Sequence, residues 1–323
     1  MLALIQITPW HWAGFVVVIL IFLALDLGVF HRSAHVVKFK EAILWSIIWF
    51  LVAMVFFRGL MKWRGELEAL EFVTGYIIEL SLSMDNVFVI ALIFGYFGVP
   101  LNQQHRVLFW GILGALIMRG AMIGVGAALI QHFHWILYVM GAFLVYTGLK
   151  MAFSGEPEVR PEKNLIIRVA RKFFPVSSEF AGQKFLVQTP IGKALTPLAL
   201  VLLMVETTDL IFALDSIPAI FAVTEKTFIV FTSNVFAILG LRSLYFVLAG
   251  AISYFRFLKF GLSIVLAFIG VKMLIAKQFK IPIGISLAVV VGIIILSILI
   301  SVVTGWREKK LKLKTIDEPG GKS

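Results

Sequence analysis

The chain of 323 residues contains no cysteine. This excludes disulfides, thiolate metal ligands and thiol redox chemistry, because each of them needs a cysteine sulfur. The sequence also lacks a P-loop, a dinucleotide-binding fingerprint and a nucleophile elbow. It therefore predicts neither an enzyme nor a cofactor-dependent protein, and any transport would have to run on an ion gradient.

Charged residues are scarce as well. They make up 15% of the chain, whereas 60% of the residues are hydrophobic and the mean hydropathy is +0.99. A water-soluble domain does not carry such a composition, so the sequence predicts an all-α polytopic membrane protein. Because about 20 apolar residues cross the hydrocarbon core, about nine transmembrane helices are expected. The candidate spans are 10–30, 42–61, 72–97, 107–130, 135–153, 197–223, 228–250, 258–276 and 283–304.

The few basic residues predict the topology. None precedes the first span and three follow it, which indicates an uncleaved helix with its N-terminus outside. With that orientation, nineteen of the 29 basic residues lie in cytoplasmic segments, among them the C-terminal tail, and six lie outside. The net charge of +11 thus follows from topology and from contact with the lipid bilayer. No nucleic-acid partner is needed to explain it.

An acid-bearing apolar segment occurs twice in the chain. It reads ELSLSMDNV from Glu79 and DLIFALDSI from Asp209. A carboxylate at membrane depth is costly, so it usually faces the protein interior and marks an ion path. The repeated acids therefore predict a paired ion site. The alignment pairs Glu79 with Asp209, Asp85 with Asp215 and Asn86 with Ser216, and Glu206 lies one turn before the second copy.

The repeat continues beyond the acids. GALIMRGA resembles AILGLRSL and sets Arg119 opposite Arg242, and GLKM from Gly148 resembles GVKM from Gly270. Each copy therefore holds three spans, and an odd number predicts two inverted-topology three-helix repeats. The expected divisions are 1–71 (two N-terminal helices), 72–153 (first repeat), 154–196 (cytoplasmic loop), 197–276 (second repeat) and 277–323 (last helix and basic tail).

The spacing of the acids predicts which of them can bind the same ion. Residues six apart are about 120° from a common face of an unbroken helix, so Glu79 and Asp85 do not both reach one ion. We expect Asp85 to face Asp215, with Asn86 and Ser216 as neutral ligands. Pro218 would open the second helix beside this pair. Outer stations or proton acceptors are expected at Glu79, Glu206 and Asp209.

The charge count predicts the ligand. Five carboxylates and two guanidiniums, Arg119 and Arg242, leave three negative charges on the repeat helices, which favours a cation. Oxygen ligands suit hard divalent ions such as Mg²⁺, Ca²⁺ and Mn²⁺, and the thioethers of Met84 and Met204 lie nearby in the sequence. The competing interpretation makes the acids structural partners of the arginines. We expect both arginines to pair inside the helix bundle.

The loop between the repeats carries two local signals. KNLIIRVARKFF, from Lys163, mixes apolar residues with Arg168, Arg171 and Lys172, which is consistent with an interfacial amphipathic helix. FLVQTPIGKAL, from Phe185, predicts a hairpin around a Pro and a Gly. The role of this loop and the protein partners of the chain stay open.

Two motifs carry a resemblance to a known family. SMDNVFVIALIF, from Ser83, and ETTDLIFALDSIPAIFAV, from Glu206, resemble the TerC family of integral membrane proteins, and the pattern over about 10–306 is similar to its Alx-type members. The resemblance implies a LysE-superfamily fold in the bacterial inner membrane and, for several relatives, manganese export. Two older family labels are tellurium resistance and redox modulation. The family's acidic positions fall on Glu79, Asp85, Glu206, Asp209 and Asp215.

Together these observations predict a secondary transporter that exports divalent metal ions, preferentially Mn²⁺, by alternating access with proton coupling. Two alternatives belong to other classes. One is a membrane scaffold or assembly partner whose acids only hold helices together. The other is a pH- or redox-responsive sensor without transport.

Overall fold

The computed structural model describes residues 7–25, 39–153, 161–177, 179–189, 192–249 and 257–317. Ten α-helices and one antiparallel hairpin occupy these ranges. The helices are α1 (Pro9–Leu25), α2 (Phe39–Trp63), α3 (Glu66–Phe97), α4 (Leu101–His132), α5 (Ile136–Phe153), α6 (Leu165–Phe173), α7 (Pro197–Phe221), α8 (Thr227–Ala249), α9 (Leu258–Ile275) and α10 (Ile283–Asp317). The strands are β1 (Leu186–Thr189) and β2 (Gly192–Leu195).

Eight of these helices, all except α1 and α6, are long and apolar enough to cross a membrane. This confirms the prediction of an all-α polytopic membrane protein. Helix α1 is apolar but has 17 residues, and the last part of the first predicted span lies outside the described residues. The repeat helix α3 begins at Glu66, six residues before the predicted start of that span.

Glycine and proline set the ends of the two central helices. Helix α3 ends at Gly98, whose φ of 62° is a left-handed conformation that glycine adopts without strain. Helix α7 begins with Pro197 after Thr196, whose hydroxyl accepts the Ala199 N–H. The opening predicted at Pro218 is absent, because α7 stays helical to Phe221. The proline lies in the last turn, where it removes one backbone donor close to the natural end of the helix.

The acid-bearing helices pack against each other in the bundle, and α3 is the more buried of the two. Helix α3 packs against α7 and α8, and α4 packs against the same two helices. Helix α5 packs along α9, and α10 covers α9 from the other side. Less than a quarter of each span in α2, α5 and α10 is buried, as expected for helices that meet lipid on one side. The bundle therefore encloses the two sequence motifs.

The contacts between α5 and α9 are reciprocal: a position of the first copy contacts the second copy at one point, and the equivalent position of the second copy makes the matching contact in return. A Cβ on Gly141 would lie 3.1 Å from the Gly270 carbonyl oxygen, and a Cβ on Gly148 would lie 2.7 Å from the Ser263 carbonyl oxygen. Small residues allow this close backbone approach. In the alignment of GLKM with GVKM, Gly141 corresponds to Ser263 and Gly148 to Gly270. A two-fold relation produces such reciprocal contacts, and the inverted orientation of the copies stays a prediction.

The segment between the repeats forms a small unit against α4 and α7. The predicted hairpin is confirmed as β1 and β2, and the predicted amphipathic segment forms α6. Arg106 of α4 donates to Gln183 Oε1 at 3.3 Å, and its guanidinium lies over the ring of Phe185. Asn164, just before α6, donates to Met204 Sδ of α7 at 3.2 Å. The unit is thus attached to the same end of both helices.

Candidate ion site

A buried arginine joins the two acid-bearing helices. Arg119 lies on α4, and 1% of its side chain is exposed. Its guanidinium binds Asp209 of α7 at two points: Nη2 donates to Oδ1 at 2.8 Å and Nε donates to Oδ2 at 3.0 Å. Its Nη1 donates to the carboxylate of Glu79 on α3. One cation therefore ties together a carboxylate from each motif.

Two neutral side chains complete this cluster, which we call the Arg119 network: Glu79, Asn86, Arg119, Asp209 and Ser216. Asn86 Nδ2 donates to Asp209 Oδ1 at 3.3 Å, and the Ser216 hydroxyl accepts from Arg119 Nη1 at 3.1 Å. Ser216 also lies beside Glu79. Because Asn86 aligns with Ser216 and Glu79 with Asp209, each neutral side chain contacts the acid of the other copy. These contacts are reciprocal in the same way as those between α5 and α9.

The charges of the network do not cancel. Glu79 is fully buried and Asp209 is 12% exposed, and both share the single positive charge of Arg119. Burial of charge is tolerated where partners have good geometry, and a two-point bond between guanidinium and carboxylate is among the strongest. The remaining negative charge favours a further cation at this place.

Several buried oxygens beside the network have no hydrogen-bond partner in the part of the chain that the structure describes. They are Glu79 Oε2, Ser83 Oγ, Asn86 Oδ1 and Glu206 Oε2. The first three residues are four and three positions apart, so they lie on one face of α3. A buried polar atom without a partner is unfavourable. Carboxylate, amide and hydroxyl oxygens are acceptors of the kind that hard cations prefer.

Glu206 is a further carboxylate close to Asp209 of the network. It lies one turn before Asp209 on α7 and faces Gly114 of α4. A Cβ on Gly114 would lie 2.0 Å from Glu206 Oε1, so a larger residue there would force the carboxylate to move. The sequence identified Glu206 but missed Gly114. The repeat could have pointed to this glycine, because GALIMRGA begins with Gly114 whereas the second copy has Ala237 at the equivalent position.

The arrangement holds no preformed metal cage. Within the described ranges, no three His, Asp or Glu side chains converge closely enough to hold a metal ion. The reason is visible in the network, where Arg119 occupies the space between Glu79 and Asp209. In this conformation the guanidinium takes the place that a cation shared by these carboxylates would need.

Asp85 and Asp215, the predicted central pair, lie in other surroundings. Asp85 has Lys259 of α9 as its charged neighbour. Asp215 hydrogen-bonds to Thr147 of α5, with Lys150 nearby. Because α3 and α7 are unbroken here, a step of six residues turns each aspartate about 120° away from Glu79 or Asp209. The structure therefore brings Glu79, Asn86, Asp209 and Ser216 together and turns Asp85 and Asp215 towards α9 and α5.

The other predicted charge-pairing residue, Arg242, is buried in α8. Its pairing with one of the motif carboxylates stays a prediction. Met204 is also buried, and its sulfur accepts the hydrogen bond from Asn164. That contact orients the sulfur towards the segment before α6.

A second charged cluster, which sequence reasoning did not single out, lies where α3 begins. We call it the Lys226 cluster: Arg64, Glu68, Glu71, Thr224 and Lys226. Arg64 Nε and Nη2 donate to the Glu68 carboxylate at 2.7 and 2.9 Å. Lys226 Nζ lies 3.0 Å from Glu71 Oε2 and 3.4 Å from Glu68 Oε1, and the Thr224 hydroxyl donates to Glu71 at 2.9 Å. The spacing of Arg64 and Glu68 was a usable signal, whereas Lys226 comes from a distant turn.

Comparison with known proteins gives a consistent result. Residues 64–310 match the model of the "Integral membrane protein TerC family". The chain is 51% identical over 296 residues to an "Uncharacterized membrane protein" of Myxococcus xanthus, with 92% of this chain and 93% of that protein covered. It is 46% identical over 312 residues to the "Putative membrane-bound redox modulator Alx" of Escherichia coli K12, with 94% and 97% covered. No solved structure matches the chain.

Proposed function

The chain belongs to the TerC family of integral membrane proteins, and we propose that it is a secondary transporter that exports divalent metal ions, preferentially Mn²⁺, from the cytoplasm. One observation carries this proposal: carboxylates from two aligned membrane helices meet at one buried place. Acids that served only to lock helices would be matched in charge, whereas Glu79 and Asp209 share a single arginine and Glu206 lies next to them. Intramembrane carboxylates in excess are typical of ion paths.

The chemistry of the oxygens favours a hard divalent cation. Glu79, Ser83, Asn86 and Glu206 offer carboxylate, hydroxyl and amide oxygens without hydrogen-bond partners. Such ligands suit Mg²⁺, Ca²⁺ and Mn²⁺. The preference for Mn²⁺ among these ions comes from the family resemblance, so it is the finer part of the proposal.

In the proposed transport cycle, the state without a bound ion is the one in which Arg119 lies between the two acids. In the described conformation it supplies the positive charge that Glu79 and Asp209 need. An incoming ion would bind first to the free oxygens near Glu206 and then replace the guanidinium between the two acids. Release of the ion would let Arg119 return. Proton movement onto surplus carboxylates would complete the exchange; export that is unchanged after collapse of the pH gradient would remove this part.

Asp85 and Asp215 have separate roles in this scheme. They lie on the same two helices but face α9 and α5. We assign them to stations that the ion or a proton visits before or after the Arg119 network. The reciprocal contacts of the two copies support rocking of one copy against the other, which is how transporters with internal repeats alternate access.

The Lys226 cluster fits the gate that such rocking requires. It links the start of α3 to the turn between α7 and α8, on the side that the charge distribution predicts to be outside. We propose that its ion pairs close this side while the network is reached from the cytoplasm. The N-terminus would then lie outside and the C-terminus inside the bacterial inner membrane.

The relative named as a redox modulator suggests another activity. A thiol-based redox role has no support here, since the chain contains no cysteine. Metal transport explains why carboxylates are buried in the bundle, because they would bind the ion. A redox role gives no reason for them.

The test measures cellular manganese by mass spectrometry in a host that lacks its own manganese exporters. The host carries wild type or one of five variants at matched membrane levels. The variants are Glu206→Gln, Asp209→Asn, Asp85→Asn, Asp215→Asn and, as the control, Glu66→Gln at an exposed carboxylate on the same helix as Glu79.

We expect wild type and Glu66→Gln to lower manganese, and Glu206→Gln and Asp209→Asn to leave it high. If only the Asp85 and Asp215 variants lose export, the ion binds at that pair and the Arg119 network is structural. If wild type does not lower manganese or another divalent metal, the transport proposal is wrong.

A further inference from the structure

Helix α6 presents an apolar surface that nothing in the described part of the chain covers. Leu165 is 68% exposed and Phe173 is 71% exposed, and Ile166 and Val169 are exposed between them. With 100° per residue, these four side chains fall within about 100° of each other around the helix. They form one continuous face, which we call the apolar face of α6. This face belongs to a short helix between membrane spans, where solvent contact would be unfavourable.

The orientation of α6 is set by the bundle, so the face is held outward. Asn164 caps the helix by accepting from the N–H groups of Ile166 and Ile167 at 2.9 and 3.2 Å, and its Nδ2 donates to Met204 Sδ. Ile167, on the opposite side from Leu165, is 1% exposed and packs in the cluster that contains Leu198 and Val201. The helix therefore lies across the first turns of α7.

Basic side chains flank the apolar face. Arg168, Arg171 and Lys172 are exposed on the remaining sector of the helix, and α6 contains no acidic residue. The first turns of α7 are also where that membrane span starts. The helix thus lies at the level of a membrane surface, with apolar side chains on one sector and cations on the next. This arrangement is complementary to a phospholipid headgroup layer with negative charge.

We propose that α6 lies in the headgroup region of the bilayer and that anionic phospholipids are its partner. The apolar face enters the acyl boundary, and the three cations bind lipid phosphates. Because Asn164 and Ile167 attach α6 to α7 near Met204, two residues before Glu206, lipid bound to α6 also restrains the helix that carries the second acid motif. The lipid contact itself does not depend on the proposed transport function.

The absence of cysteine makes a direct test available. Full-length protein carrying Val169→Cys or Phe173→Cys is spin-labelled at its only thiol and reconstituted into vesicles. Lys193→Cys, at an exposed position of β2, serves as the matched control. Vesicles contain phosphatidylcholine alone or phosphatidylcholine with phosphatidylglycerol. Collision of the label with oxygen, which enters lipid, and with a nickel chelate, which stays in water, is measured by paramagnetic resonance.

We expect the labels at 169 and 173 to collide several-fold more with oxygen, relative to the nickel chelate, than the label at 193. Phosphatidylglycerol should increase this ratio further. The combined variant Arg168→Gln, Arg171→Gln and Lys172→Gln should abolish that increase in a Phe173→Cys background.

Three outcomes would overturn the proposal. In the first, the apolar-face labels reach water as freely as the label at 193 in both vesicles. In the second, the labels are shielded from both reagents and couple to each other, which means that a second copy covers the face. In the third, the lipid contact is equal in both vesicles, so that negative lipid charge has no part.

Discussion

The Arg119 network and the Lys226 cluster use the same chemistry at two depths. Each joins two carboxylates, at least one of them on α3, to a cation from a different helix or turn, and each adds a hydroxyl donor or acceptor. They differ in the exposure of the cation: 1% of the Arg119 side chain is exposed, against 40% of Lys226, whereas the carboxylates of both clusters are mostly buried. Water can replace the partner of Lys226, whereas it cannot reach Arg119.

This difference decides what each cluster can do. Charges near the surface interact through water and salt, so their pairs form and break at little cost. Charges in the interior depend on each other, because removing one leaves the other without compensation. The Lys226 cluster therefore suits a contact that opens in each cycle. The Arg119 network suits a centre where charge changes only when another cation arrives.

The largest effect is expected from Arg119→Gln. It leaves Glu79 and Asp209 buried without their cation, which should lower the free energy of unfolding by about 3–5 kcal/mol. The measurement is unfolding in mixed micelles followed by circular dichroism. Adding Glu79→Gln and Asp209→Asn to Arg119→Gln should recover most of the loss. If the single variant is as stable as wild type, the network contributes no buried charge pairing.

Gly114→Ala tests the space that Glu206 occupies. The new methyl group would displace the Glu206 carboxylate, and because the end of this side chain is flexible we expect little loss of stability. We do expect the substitution to reduce metal export, because Glu206 must move. Gly124→Ala is the control on the same helix, since a Cβ there meets nothing within 4 Å. Equal effects of the two substitutions would show that the Gly114 contact is not specific.

A matched pair of hydroxyl deletions compares the two clusters directly. Ser216→Ala and Thr224→Val each remove a hydrogen bond to a charged group, worth about 1.5–3 kcal/mol. We expect Thr224→Val to cost less, because Lys226 beside it is 40% exposed and water can reach this cluster. The same unfolding assay measures both. The reverse order would mean that the Lys226 cluster is the more constrained region.

A smaller effect than that of Arg119→Gln is expected from Lys226→Gln, because the lysine side chain is 40% exposed although the Glu71 carboxylate that it binds is buried. Raising the ionic strength should shrink the difference from wild type, because salt screens exposed charges. The cost of Arg119→Gln should stay nearly constant over the same salt range. If the loss of stability in Lys226→Gln does not change with salt, the contacts of Lys226 behave like those of a buried charge.

Much of the fold was predictable from local features of the chain. The spans after the first agree with α2 to α5 and α7 to α10 within a few residues, apart from the early start of α3 and α4 and the long α10. The hairpin and the amphipathic α6 were also predicted. These features follow from runs of apolar residues and from turn residues, which act over short distances. The residues of the Arg119 network were all named beforehand, but their grouping was not.

The sequence by itself determined the membrane class, the helices, the duplicated acid motif and the absence of thiol chemistry, because composition and periodicity act within each segment. Only the tertiary structure decided that Glu79 and Asp209 meet at Arg119 while Asp85 and Asp215 face other helices. A helix turns about 100° per residue, so identical motifs present several acids in different directions. Which direction becomes the shared interior depends on how α3, α4 and α7 pack, and that packing is a property of the whole bundle.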